Sequence, residues 1–233
     1  MKIMKTIIEK IDKNQKNTDI IREAGRILKE GGLVAFPTET VYGLGADALN
    51  EDAAKKIYAA KGRPSDNPLI IHITNMKALD KIVSEVPEKA VKVAEKYWPG
   101  PLTMIFNKSD IVPYGTTGGL DTVAVRMPVD EIAREVIDAG GGYIAAPSAN
   151  TSGRPSPTTA QHVAEDLKGR VDMIVDGGAV EIGVESTILD VTVEPPMILR
   201  PGAITKEMFE EVIGEVTVDR TLIRPDSKPV SYT

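Results

Sequence analysis

Gly31-Gly32-Leu33-Val34-Ala35-Phe36-Pro37 is the stretch on which the fold turns. An unbroken apolar run of this length suits a strand buried on both faces, in a sheet with a layer on each side. Pro37 ends the run. Upstream, Thr18-Asp19 starts a helix, and Ile20, Ile21, Ala24, Ile27 and Leu28 recur at helical spacing until the two glycines stop it. A strand is expected earlier still, at Thr6–Glu9. Downstream the alternation continues. Helices are predicted from the Asn50 cap through Ala60, and at Glu88–Tyr97, Glu131–Ala139, Thr159–Leu167 and Thr205–Ile213. Strands are predicted at Leu69–Ile73, Leu102–Phe106, Thr122–Arg126, Tyr143–Ala146, Asp172–Val175, Ser186–Val191 and Met197–Leu199. Some strand pairs lack an intervening helix. The pattern therefore points to a three-layer α/β domain with a mixed sheet. We divide the chain into an N-terminal extension (1–17), a catalytic domain (18–213) and a polar, Pro-containing linker or tail (214–233).

Composition narrows the function. The chain has 233 residues, is 42% hydrophobic and 27% charged, and carries a formal net charge of −6. That length supports a core without staples, and the acidic total argues against a dedicated nucleic-acid coat. The absence of cysteine removes thiol nucleophiles, disulfides and Cys-ligated metals. His72 and His162 are the only histidines, too few for a His-rich metal site. No apolar run approaches a membrane span or a signal sequence. The expected location is cytoplasmic, with no membrane partner.

Two tripeptides hold the strongest chemistry, Lys61-Gly62-Arg63 and Ser148-Ala149-Asn150. The first, taken alone, reads first as a helix C-cap, where cations are favourable, and second as a phosphate clamp with a point charge and a bidentate fork. The second, with Ser152, Ser156 and Thr158, reads as a helix-entry loop or as a nucleotide-gripping loop. Pro37 through Gly45 holds two threonines, a glutamate and two glycines, and reads as a polar connection or as a ligand loop. His72 sits in an apolar strand. Arg126 ends a strand, well placed for a ligand carboxylate or a structural ion pair. No P-loop, nucleophile elbow or metal-ligand spacing occurs, so a required Mg²⁺ would be held by phosphates and water.

Taken together, Pro37–Gly45, Lys61-x-Arg63 with Asn67-Pro68-Leu69, Ser148-x-Asn150 with Ser156-Pro157-Thr158, Glu185-Ser186-Thr187 and Arg200-Pro201-Gly202 resemble the YrdC family, above all its threonylcarbamoyl-AMP synthases. The resemblance spans roughly residues 15–213. It implies an open, twisted, mixed α/β sheet around a deep basic cavity, and a nucleotidyltransferase reaction of ATP with L-threonine and bicarbonate. The product would be threonylcarbamoyl-adenylate, passed to a tRNA threonylcarbamoyltransferase complex. By resemblance, Lys61 and Arg63 are the catalytic cations. They bind ATP with Asn67, Thr117, Ser148, Asn150, Ser156 and Arg200. Thr40, His72, Arg126 and Ser186 hold threonine. Mg²⁺ rides on the ATP phosphates, and tRNA contact is not required. Longer relatives continue through a linker that covers the site, and Lys228-Pro229-Val230-Ser231-Tyr232-Thr233 resembles its start. Two rivals share the family: an RNA-binding module without synthase activity, and a carbamoyl-adenylate-forming domain.

Overall fold

The computed structural model describes residues 5–12 and 17–219; residues 220–233 of the expected linker or tail lie outside them. The strands are β1 (Ile7–Lys10), β2 (Val34–Phe36), β3 (Gly43–Asp47), β4 (Ile70–His72), β5 (Leu102–Asn107), β6 (Thr122–Arg126), β7 (Ile144–Ala145), β8 (Met173–Asp176), β9 (Thr187–Asp190), β10 (Met197–Arg200) and β11 (Thr217–Val218). They form one eleven-stranded sheet in the order β1-β8-β2-β3-β7-β4-β6-β5-β9-β10-β11. Parallel pairs (β1/β8, β2/β8, β4/β6, β5/β9, β10/β11) mix with antiparallel ones (β2/β3, β3/β7, β4/β7, β5/β6, β9/β10). The expected mixed α/β sheet is therefore present. It continues past Ile213 into β11.

The helices are α1 (Thr18–Lys29), α2 (Glu51–Lys61), α3 (Leu79–Ile82), α4 (Glu88–Tyr97), α5 (Tyr114–Thr117), α6 (Glu131–Ala139), α7 (Ala160–Leu167) and α8 (Lys206–Ile213). Alternation in β2 explains the layers. Val34 and Phe36 join a core with Ala24, Ile27 and Leu28 of α1 and Ala133, Val136 and Ile137 of α6. Leu33 and Ala35 join a larger core with Ile57 of α2, Val93 of α4, Val163 of α7 and Phe209 of α8. The apolar run is thus buried on both faces.

Two strands were not legible, β11 (Thr217–Val218) and β3 (Gly43–Asp47). Gly43–Asp47 pairs antiparallel with β2 instead of leading into a helix. Its two glycines lower strand propensity. They are there for space: a Cβ on Gly45 would lie 2.6 Å from the Phe36 ring.

The face carrying α1 and α6 is only partly covered. His72 lies opposite both Ile144 and Arg126 in the ladder, and Thr103 opposite Arg126 and Ile188. Residues directly opposite share a face, so His72, Arg126 and Thr103 stand on the same side as Ile144, which packs in the α1/α6 core. Beside them a small apolar cluster of Ile70, Ile105, Ala124 and Ile188 forms a floor. In β6 the alternation is direct: Val123 and Val125 enter the large core, while Ala124 and Arg126 face this floor.

Candidate active site

A cavity opens over that floor. Its space is about 500 Å³ including the open mouth. Three arginines from distant segments meet in its wall: Arg63 after α2, Arg126 at the end of β6 and Arg200 at the end of β10. Thr40, His72, Ser148 and Ser186 line it with them, and Glu185 is the carboxylate in the lining. Seven of the expected site residues thus converge. Lys61, Asn67, Thr117, Asn150 and Ser156 are not in the wall itself.

Lys61 and Asn150 sit directly behind it. Gly62 caps α2 in the left-handed conformation, at φ 62°, so the tripeptide is a helix end as well as a site element. Lys61 is 3% exposed. Its Nζ donates to the Ser148 carbonyl, to Asn150 O at 2.6 Å and to Asn150 Oδ1 at 3.4 Å. Ser152 N returns a bond to Lys61 O at 2.9 Å. The Asn150 amide donates to the carbonyls of Thr151 (2.9 Å) and Arg154 (2.8 Å). The two tripeptides are therefore one unit, with Lys61 bracing the loop that presents Ser148. Burial, helped by the neighbouring Arg63 charge, lowers the Lys61 ammonium to about 7.

The other wall is a polar relay. Ser156 Oγ donates to Glu185 Oε1 at 2.7 Å, and Glu185 pairs with Arg200. Arg200 Nε donates to Ser186 O at 3.0 Å and its Nη2 to Ser186 Oγ at 3.1 Å. Ser186 Oγ shares a 2.7 Å bond with Thr103 Oγ1. Ser156 thus reaches the site through Glu185. Asn67 and Thr117 are engaged elsewhere: Asn67 O accepts from the Tyr58 hydroxyl at 3.1 Å, and Thr117 Oγ1 donates to Leu120 O at 2.7 Å. Burial lowers both Arg63 and Arg200, with the Glu185 charge opposing it.

Arg126 is held from the β2–β3 loop. Its Nη1 donates to Thr40 Oγ1 at 2.9 Å and its Nη2 to Glu39 Oε1 at 2.6 Å. Thr38 braces that loop, donating to Val41 O at 2.7 Å and sharing a 3.0 Å bond with Thr40 Oγ1. His72 Nδ1 lies 3.1 Å from Ile70 O. A carbonyl only accepts, so Nδ1 carries the proton and Nε2 is left as an acceptor. Burial and the Arg126 charge hold His72 down to about 3, so the ring is neutral at physiological pH.

Glu39, Glu185 and Thr103 are the site residues that sequence reasoning left without a role. Glu39 and Arg126 are 87 positions apart, and no local pattern announces such a pair. Among the described residues no group of three His, Asp or Glu side chains is arranged to hold a metal ion. No helix among them is long and apolar enough to cross a membrane.

Three guanidinium groups, those of Arg63 and Arg126 buried and that of Arg200 half-buried, with a neutral imidazole and hydroxyls at the uncovered end of a mixed sheet, define an α/β protein suited to small anionic ligands. The family model described as Telomere recombination (Sua5, yciO, yrdC) matches residues 26–202. A threonylcarbamoyl-AMP synthase of Pyrococcus abyssi is 58% identical over 198 residues, covering 85% of this chain and 58% of the relative. One of Bacillus subtilis is 51% identical over 232 residues, covering 99% of this chain and 67% of the relative. The structure of P. abyssi Sua5 complexed with L-threonine superposes with a TM-score of 0.89 at 51% identity, covering 99% of this chain and 66% of that one. The chain belongs to the Sua5/YciO/YrdC family. It spans 58% of the length of the Pyrococcus relative.

Proposed function

We propose that the chain is an L-threonylcarbamoyladenylate synthase, joining L-threonine, bicarbonate and ATP. The observation that carries this reading is the convergence of Arg63, Arg126 and Arg200 on one cavity, beside the joined Lys61 and Ser148–Asn150 unit. The relatives' names and the threonine complex of P. abyssi Sua5 support it.

The α-carboxylate of threonine would sit on Arg126, and its hydroxyl would donate to His72 Nε2, with Thr40 and Ser186 alongside. The phosphates would meet Arg63, Arg200 and the Ser148 loop, with Asn67, Thr117 and Ser156 supporting the nucleotide side. N-carboxythreonine, formed when the threonine amine joins the bicarbonate carbon with loss of water, attacks the α-phosphorus of ATP through a carboxylate oxygen. A new O–P bond forms, the bond to the β-phosphate oxygen breaks, and pyrophosphate leaves. The incoming carboxylate is itself the nucleophile, so the protein's task is to bring two anions together and offset the charge that develops on phosphorus. Three preorganised guanidinium groups, two of them buried, suit that task, and Lys61 contributes by fixing the loop. Mg²⁺ would be carried by the phosphates, because the wall carboxylate Glu185 is already committed to Arg200 and Ser156. The product would feed a tRNA-modifying transferase in the cytoplasm.

Replacing Arg126 tests the assignment. Arg126→Ala should weaken threonine binding by about 2–5 kcal/mol and leave the Michaelis constant for ATP nearly unchanged. An unchanged threonine constant would sink it.

A further inference from the structure

The Arg126–Glu39 pair is unusual in where it leaves its hydrogen-bonding capacity. Both side chains are buried, 5% and 3% exposed, and meet through a single 2.6 Å contact. An arginine and a carboxylate can form two parallel bonds, yet here Arg126 Nε and Glu39 Oε2 are both buried without a hydrogen-bond partner among the described residues. A one-point buried ion pair with an unused atom on each side is a poor device for stability, because desolvation of two charges is set against one bond. Glu39 also lines the neighbouring cavity, which Asp130, Glu131, Glu135 and Glu181 surround with further negative charge. Among the described residues its one ion-pair partner is Arg126.

We infer that Glu39 is a positioning residue for the substrate carboxylate. It fixes Arg126 through Nη2, while Thr40 takes one proton of Nη1. Nε–H and the second proton of each Nη nitrogen remain for a ligand. Its charge also offsets one of the three guanidinium charges at the cavity, so the amino-acid end of the site differs electrostatically from the phosphate end, where Arg63 and the joined tripeptides stand. Glu39 and Thr40 are consecutive, and both reach the same guanidinium only because the Thr38 bonds fold the loop back on itself. The inference rests on the reading that Arg126 takes the threonine carboxylate.

Calorimetric titration of the full chain with L-threonine and, separately, with ATP tests it. Glu39→Gln keeps the shape and removes the charge. Glu39→Asp keeps the charge and withdraws it by one methylene. Each should weaken threonine binding by about tenfold, the loss expected when one charge-assisted hydrogen bond is mis-set, with ATP affinity within about twofold of the parent. Equal loss for both ligands would mean a general structural role and would overturn the inference, as would no loss for either. Arg126→Ala is titrated beside them. If it keeps full threonine affinity, the reading of Arg126 itself fails; if it loses threonine while both Glu39 variants keep it, only the role of Glu39 fails.

Discussion

Lys61→Met removes the one cation that sits entirely behind the cavity wall, and its effect has a magnitude and a pH signature. Methionine matches the stem of lysine but leaves the Ser148 and Asn150 carbonyls without their donor. Each buried unpaired carbonyl costs about 1–3 kcal/mol. Against that stands the burial of the ammonium, which lowers Lys61 from 10.5 to about 7. Between those values the unfolded chain keeps the proton and the folded chain sheds it, so the parent's stability rises with pH across that window. Below about 7 both states are protonated and the difference is constant. Each pH unit inside the window is worth about 1.4 kcal/mol. Urea unfolding of parent and variant at pH 7 and pH 9 isolates the effect, because every other titrating group cancels in the difference. At pH 9, where the neutral amine still donates, the variant should be less stable by about 2–6 kcal/mol. At pH 7 that deficit should shrink by about 2–3 kcal/mol. A deficit equal at the two pH values would refute the reasoning, showing that the surrounding acceptors keep Lys61 charged and outweigh its burial.

Two further outcomes follow from the fold and the site. His72 is held at about 3 when folded, against 6.5 when exposed, so its contribution to stability is complete above about pH 6.5 and is lost as pH falls toward 3. The slope reaches about 1.4 kcal/mol per pH unit. His72→Asn should flatten that part of the stability–pH curve, and an unaltered curve would show that the ring is not held neutral. Gly45→Ala should destabilise the protein by about 1–3 kcal/mol, read by urea unfolding. Its Cβ would meet the Phe36 ring at 2.6 Å and Val34 O at 3.1 Å, yet Gly45 is not part of the cavity wall, so ATP affinity of the folded fraction should hold.

Much of this was legible in the chain. The Leu33–Phe36 run identified a strand buried on both faces because hydrophobic periodicity is local, and α1, α4 and α6 announced themselves in the same way. Arg126 was legible as a site residue because it ends an apolar strand. The strand Gly43–Asp47 was not, because its glycines answer to the Phe36 ring of the neighbouring strand, a tertiary demand that overrides propensity. The Lys61 brace was also hidden. Its residue type and helix-end position suggested a phosphate contact, but the ammonium points into backbone carbonyls 87 and 89 positions away. Glu39 escaped for the same reason, since its partner Arg126 is 87 positions away; Glu185 acquires its role from Arg200 across the β9–β10 hairpin and from Ser156.

The central claim is that one cavity joins threonine to ATP, and pyrophosphate release measures it most directly. With ATP, L-threonine and bicarbonate all present, the account predicts steady release of pyrophosphate that falls to background when any one of the three is omitted. Release that continues undiminished without threonine would contradict it.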